Sequence, residues 1–167
     1  TDVSPSLGGW LRGVHVVSSS VAIAVGSNGM IIRSENGGSS WTAQESDVNT
    51  ELLGTFVLSG GVGIAVGSDG TITGTSDGGL TWAAQVSGTT SDLHAVYLRD
   101  ENNGIVVGRG GTILMTTNGG MDWIKQNSGV FSDLNDIAFS SELTGVIAAE
   151  DGTPVSYTHL RAHETVL

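Results

Sequence analysis

Val66-Gly67-Ser68-Asp69-Gly70-Thr71-Ile72-Thr73-Gly74-Thr75-Ser76-Asp77-Gly78-Gly79-Leu80-Thr81-Trp82 is the stretch whose reading decides the fold. Its landmarks recur on both sides without insertion. Trp41, Trp82 and Trp123 stand 41 residues apart (82−41 and 123−82). Leu11, Leu52, Leu93 and Leu134 keep the same step, as do Gly29, Gly70, Gly111 and Gly152. Val25-Gly26, Val66-Gly67 and Val107-Gly108 follow it too. A fixed period of this length is the signature of a repeat architecture.

Each unit divides into four predicted strands. The first carries Leu and then apolar residues three and five positions on, as in Leu93, Val96, Leu98 and Leu134, Ile137, Phe139. The second is a short apolar run, Ala22 to Val25, Ile64 to Val66 and Ile105 to Val107, which suits a strand buried on both faces. Asn28-Gly29, Asp69-Gly70 and Gly110-Gly111 follow, pairs in which both residues can take φ > 0 in a tight hairpin turn. The third strand runs through Met30-Ile31-Ile32, Thr71-Ile72-Thr73 and Thr112-Ile113-Leu114. The fourth begins at the Trp and passes through Gln44, Gln85 or Gln126. A repeated four-stranded unit of about 40–45 residues is a propeller blade, so the expected fold is all-β, a β-propeller fragment of antiparallel blades.

Composition agrees. The chain has 26 Gly, two Pro, no Cys and only 14% charged residues, which favours short strands and turns over helices. With six Lys+Arg against 17 Asp+Glu the net charge is −11. That leaves no basic stripe for a nucleic acid and disfavours an anionic membrane surface. No apolar run approaches the roughly 20 residues of a membrane helix, so no membrane insertion is expected. Thiolate chemistry is excluded by the lack of Cys.

Between the third and fourth strands lies a shared turn: Ser34-x-Asn36-x-Gly38-x-Ser40-Trp41, Thr75-x-Asp77-x-Gly79-x-Thr81-Trp82 and Thr116-x-Asn118-x-Gly120-x-Asp122-Trp123. An Asp or Asn at its centre can accept hydrogen bonds from the turn's own N–H groups, and the indole anchors the turn on the blade. These segments resemble the Asp-box, or BNR repeat. The expected structural residues are therefore Ser34, Asn36, Gly38, Trp41, Thr75, Asp77, Gly79, Trp82, Thr116, Asn118, Gly120 and Trp123. Repetition in every unit marks a staple, not a calcium or sugar site.

The stretch from Val66 to Trp82, with Gln85 and Ser87-Gly88 after it, resembles the photosystem II assembly/stability factor family over residues 11–153. That resemblance implies a closed propeller without catalysis or cofactor. It implies protein partners, photosystem II subunits among them, and an extracytoplasmic setting in the thylakoid lumen or in a periplasmic or secreted form. The alternatives are a fragment of a secreted Asp-box glycosidase, sialidase-like, or of a secreted bacterial repeat protein.

No catalytic, cofactor-binding or metal-ligating residue is expected. Tyr97 and Arg99 fall on one strand face without the arginine set a sialidase needs, and His15 and His94 lack a triad partner. Asp100-Glu101-Asn102-Asn103 lacks the ligand alternation of a calcium loop and is expected to be a solvated turn. The loops after the first strands, Ser18 to Ser20, Ser59 to Gly61 and Asp100 to Asn103, differ between units and are the expected partner-binding elements.

The expected boundaries are residues 1–10 as the end of a preceding blade, blades over 11–51, 52–92 and 93–133, and a partial blade over 134–153. After Thr153 the register fails: the strand, box and Trp positions hold Pro154, His159, Arg161 and Glu164. Residues 154–167 are similar to one reading frame of a transposase sequencing adapter and are expected to be non-native. A genomic read across codon 154 is expected to depart from this tail; a read running through it unchanged would overturn that expectation.

Overall fold

The computed structural model describes residues 8–141 and 144–158, and they form four antiparallel sheets. The first holds β1 (Leu11–Val16), β2 (Ala22–Gly26), β3 (Ile31–Ser34) and β4 (Thr42–Gln44). The second holds β5 (Leu52–Val57), β6 (Gly63–Gly67), β7 (Ile72–Thr75) and β8 (Ala83–Gln85). The third holds β9 (Leu93–Leu98), β10 (Gly104–Gly108), β11 (Thr112–Thr116) and β12 (Ile124–Gln126). The fourth holds β13 (Leu134–Phe139), β14 (Thr144–Ala149) and β15 (Pro154–Thr158). Each is a meander whose strands pair in chain order. First strands of successive sheets adjoin one another, β1 with β5, β5 with β9 and β9 with β13, so they form the inner lining of the arc. This is a β-propeller fragment of three four-stranded blades and a fourth with three strands.

Every first strand is irregular at the same place. The pairing register slips between Leu11 and Gly13, between Leu52 and Gly54, opposite Val107 and Gly108 in the third sheet, and between Leu134 and Asp136. Side chains in a regular strand alternate with period two, so a spacing of three would send Leu93 and Val96 to opposite faces. One extra residue at a bulge restores the face. Leu93, Val96 and Leu98 are accordingly all buried in one cluster. The bulge is the physical reason for the three-then-two spacing in the sequence.

The second strands of the first three sheets are buried along their whole length, whereas β14 alternates between buried and exposed residues. Their turns carry φ values of 56° and 70° at Asn28 and Gly29, 56° and 70° at Asp69 and Gly70, and 62° and 70° at Gly110 and Gly111, as the expected hairpin requires. At Gly70 the backbone angle is only part of the demand. A Cβ there would sit 2.0 Å from the carbonyl oxygen of Thr89, on the segment leading to the next blade.

Blades hold together through apolar faces. Ile23, Val25 and Ile31 of the first blade meet Leu52, Val57 and Ala65 of the second. Ile64, Val66 and Ile72 meet Leu93, Val96 and Leu98, while Ile105, Val107 and Ile113 meet Leu134, Ile137 and Ile147. The indoles of the second and third blades join the junction with the blade before. Trp82 packs in the cluster of Ile23 and Trp123 in that of Ile64. Trp41 is only half-buried, because no described sheet precedes its blade. The face of the first blade shows what the junction hides: Leu11 and Val16 are 52% and 67% exposed, whereas their equivalents Leu52 and Val57 are 0% and 2%.

The fourth sheet runs further than the sequence register. Pro154 pairs with Ala148 and Val155 with Ile147, five residues of strand lying beyond the expected break at Thr153. Proline is tolerated there because it opens the strand. The rest of the adapter-like tail, with His159, Arg161 and Glu164, lies outside the described residues.

Trp82→Ala is expected to cost about 3–5 kcal/mol, the range for deleting a buried aromatic side chain. Trp41→Ala is expected to cost clearly less, with urea unfolding midpoints as the measurement.

Candidate binding surface

The hairpin loops after the first strands and the turns before the fourth strands come together at one end of the arc. A main-chain hydrogen bond joins them in each complete blade: Gly37 N–H to Ser20 O at 2.8 Å, Gly78 N–H to Gly61 O at 2.8 Å and Gly119 N–H to Asn102 O at 3.0 Å. The loops that differ between units are thus seated on the turns that do not.

Those turns are closed by side chains. In the second blade Asp77 Oδ1 accepts from Leu80 N–H and Thr81 N–H, each at 3.0 Å, and from the Thr75 hydroxyl at 2.8 Å. Asp77 Oδ2 takes the Thr81 hydroxyl at 2.6 Å. Thr75 Oγ1 accepts from Gly79 N–H at 3.0 Å, and the Trp82 indole N–H reaches Gly79 O at 3.2 Å. In the first blade Asn36 Oδ1 accepts from Ser40 N–H at 2.9 Å and its amide donates to Ser40 Oγ at 2.8 Å. Ser34 Oγ accepts from Gly38 N–H at 2.9 Å. The third blade exchanges the polarity: Asn118 donates to the Asp122 carboxylate at 2.8 Å and accepts from Asp122 N–H at 3.0 Å. Thr116 Oγ1 receives Gly120 N–H at 2.8 Å. Asp77 is the one central residue of the three that titrates, and the Thr81 hydroxyl and N–H above all hold its carboxyl down from the ordinary 3.8 to about 2.

Inside the arc the first strands carry a row of aromatic rings. His15 and Phe56 have ring centres 4.3 Å apart, Phe56 and Tyr97 5.1 Å, and Tyr97 and Phe139 4.4 Å. Three of them share the repeat register (15+41 = 56 and 56+41 = 97). The fourth place in register is Ala138, and the neighbouring Phe139 completes the row. These residues sit near the ends of β1, β5, β9 and β13, just before the variable loops. Burial lowers the pKa of His15, against a backbone hydrogen bond with Val57 that raises it. Taken singly, His15 and Tyr97 carry no signal in the sequence; the 41-residue step applied to ring-bearing positions exposes the row.

Charged groups at this end are mostly self-paired. Arg99 Nε donates to Asp100 Oδ2 at 3.1 Å, and Asp100 Oδ1 receives the N–H groups of Asn102 and Asn103, each at 2.9 Å. Burial pushes the Asp100 carboxyl up, but the bonds from Asn103, Asn102 and Arg99 outweigh it and leave it at about 2. Tyr97 and Arg99 line one recess together with Phe139. His94 is elsewhere, its Nδ1 3.0 Å from Leu134 O across a blade junction. Arg12 pairs with Glu51 at 2.7 Å, Arg33 with Glu35, and Arg109 with Asp92 at 3.9 Å, so the four arginines among the described residues do not converge. No group of three or more His, Asp or Glu side chains among the described residues is placed to hold a metal ion. No helix of the described residues is long and apolar enough to cross a membrane.

No family profile matches the chain, and no curated protein matches its sequence. Solved structures match its shape. A chain described as YCF48 bound to D1 peptide superposes with a TM-score of 0.74 at 15% identity, covering 94% of this chain and 53% of that one. YCF48 from Cyanidioschyzon merolae gives 0.74 at 15% identity, covering 98% and 57%. An ancestral GH74 enzyme gives 0.72 at 17% identity, covering 93% and 24%. At these identities the likeness establishes the propeller fold alone. The chain spans about half the length of the YCF48 chains it matches.

Acid should weaken the second blade's turn. Unfolded Asp77 takes up its proton near 3.8 and folded Asp77 only near 2. The carboxylate's contribution is therefore present above about pH 4 and lost as pH falls toward 2. Asp77→Asn, which keeps the Oδ1 acceptor as Asn36 does, is expected to lessen the fall in urea midpoint between pH 5 and pH 2.5, Asp100 and Asp151 accounting for what remains. An unchanged fall would refute this.

Proposed function

We propose that the chain is a non-catalytic protein-binding scaffold, similar in role to the photosystem II assembly/stability factors, and that it binds an extended peptide along its aromatic row. The turns at 34–41, 75–82 and 116–123 are Asp-boxes in this reading, staples that hold the blade ends and take no part in binding. The blades span 11–51, 52–92 and 93–133, with a further one from 134. The setting is extracytoplasmic, the thylakoid lumen or a periplasmic or secreted equivalent.

The observation that carries the reading is the row His15, Phe56, Tyr97 and Phe139, four rings contributed by four successive blades next to the variable loops. Ring faces and edges offer large contact area at low entropy cost, and aromatic anchors dominate peptide interfaces. The likeness of shape to YCF48 bound to D1 peptide supports a peptide as the occupant. The dispersed, acid-paired arginines give a carboxylate-bearing sugar no clamp, which weighs against a sialidase-like reading. The likeness to a GH74 enzyme keeps a fragment of a secreted Asp-box glycosidase as the second reading.

Anisotropy titration with a labelled D1 peptide tests the proposal. Saturable binding is expected, weakened about tenfold or more by Phe56→Ala with Tyr97→Ala, the size of an anchor-residue loss. Binding no tighter than that of a scrambled peptide would overturn the photosystem role. Release of reducing sugar from a polysaccharide panel would move the chain to the second reading.

A further inference from the structure

The outer strands of the first two blades differ at one place in the register. β7 carries Gly74 there, which leaves room for Gln85 of β8 to fold inward: a Cβ on Gly74 would lie 2.4 Å from Gln85 Nε2. Gln85 Oε1 then accepts the Trp123 indole N–H at 3.0 Å. β3 carries Arg33 at the equivalent place (33+41 = 74). The Arg33 side chain is only 10% exposed, and its Nε donates to Gly78 O of the next blade at 2.8 Å. Gln44, the counterpart of Gln85 (44+41 = 85), stays outside, its amide donating to Thr42 O at 3.3 Å. Trp82 gives its indole N–H to Gly79 O instead.

The exchange opens a cleft of about 220 Å³ between the first two blades, lined by Arg33, Glu35, Thr42, Gln44 and, from the second blade, Leu80. Both walls belong to complete blades. A water takes roughly 30 Å³, so the space admits a small organic molecule. Two of the five N–H donors of Arg33 are engaged, by Gly78 O and by the Glu35 carboxylate. Glu35 cancels the guanidinium charge, Thr42 offers a hydroxyl, Gln44 an amide oxygen, and the half-exposed Leu80 an apolar wall. Asn36 and Ser40 of the turn reach the lip already bonded to each other.

We propose that this cleft binds a neutral sugar ring. Such a ring carries donors and acceptors around its edge and C–H groups on its faces, which is what a charge-balanced Arg–Glu pair, an amide, a hydroxyl and an apolar wall complement. A cation would meet Arg33, and an anion would meet Glu35 in a chain of net charge −11. An apolar ligand would strand the polar groups without partners. Glycosidases use two carboxylates, and Glu35 is the one that lines this cleft, so the sugar is held and not cut. The inference is independent of the peptide reading, whose rings lie on the first strands and not on β3 and β4.

In the full chain labelled with 15N, D-glucose is expected to shift the Arg33 Nε–H and Gln44 side-chain amide signals saturably. The Gln85 amide, folded onto Trp123, should stay in place. Arg33→Met, which takes the third blade's residue at this place, is expected to weaken the Gln44 response about tenfold, the size of a lost hydrogen bond to a charged group. Gln44→Leu is expected to weaken the Arg33 response about threefold, that of a neutral one. Native Trp82 and Trp123 indole N–H signals report an intact fold, and either variant carries the test if the other is not native. Cellobiose acting at lower concentration than glucose identifies a polysaccharide as the source; equal or weaker action identifies a free sugar. Signals that do not move, Gln85 moving with Gln44, glucuronate acting at lower concentration than glucose, or a response undiminished in a natively folded variant would overturn the proposal.

Discussion

Contact between the flat apolar face of one blade and the first strand of the next is the constraint on which the rest of the molecule depends. A four-stranded meander of this size cannot bury enough surface alone, and stacking supplies what it lacks. The register is strict because the same side chains must meet at every junction: Ile23, Ile64 and Ile105 from one side, Leu52, Leu93 and Leu134 from the other. An insertion in any strand would turn a buried residue to the wrong face. The constant 41-residue step is the trace of that requirement in the sequence.

The indole staples add a second level. Each turn is satisfied within itself by an Asp or Asn and a Ser or Thr, and Trp82 and Trp123 then spend their rings on the neighbouring blade. The exchange of Asn118 and Asp122 for Asp77 and Thr81 shows that the turn needs a donor and an acceptor facing one another, whichever residue carries the charge. Asp77 has Oδ1 and Oδ2 engaged by the turn's own donors, which is why the motif reads as architecture.

Much of this was legible in the sequence. Periodicity located the strands, the hairpin dipeptides and the turns, because each depends on local backbone demands that only certain residues meet. The odd spacing of Leu93, Val96 and Leu98 was visible but its cause was not, since a bulge is a pairing event between strands. The strand at Pro154–Thr158 was missed for a related reason: backbone pairing with β14 proceeds without the apolar pattern of the earlier units. The aromatic row escaped because its members, His15, Phe56, Tyr97 and Phe139, differ in residue type and the last is displaced by one position. What unites them is adjacency across blades, which one-dimensional spacing conveys only when chemical class, not identity, is followed.

The seating of each variable loop has a consequence for how such a protein can change. Ser20, Gly61 and Asn102 hold their turns through a main-chain carbonyl, the one group every amino acid possesses. The bond that seats each loop on its turn therefore does not depend on which side chain stands at that position. Ser-Ser-Ser at 18–20 and Asp-Glu-Asn at 100–102 occupy the same three places of the repeat, so what the rim presents can change while the carbonyl that seats the loop stays.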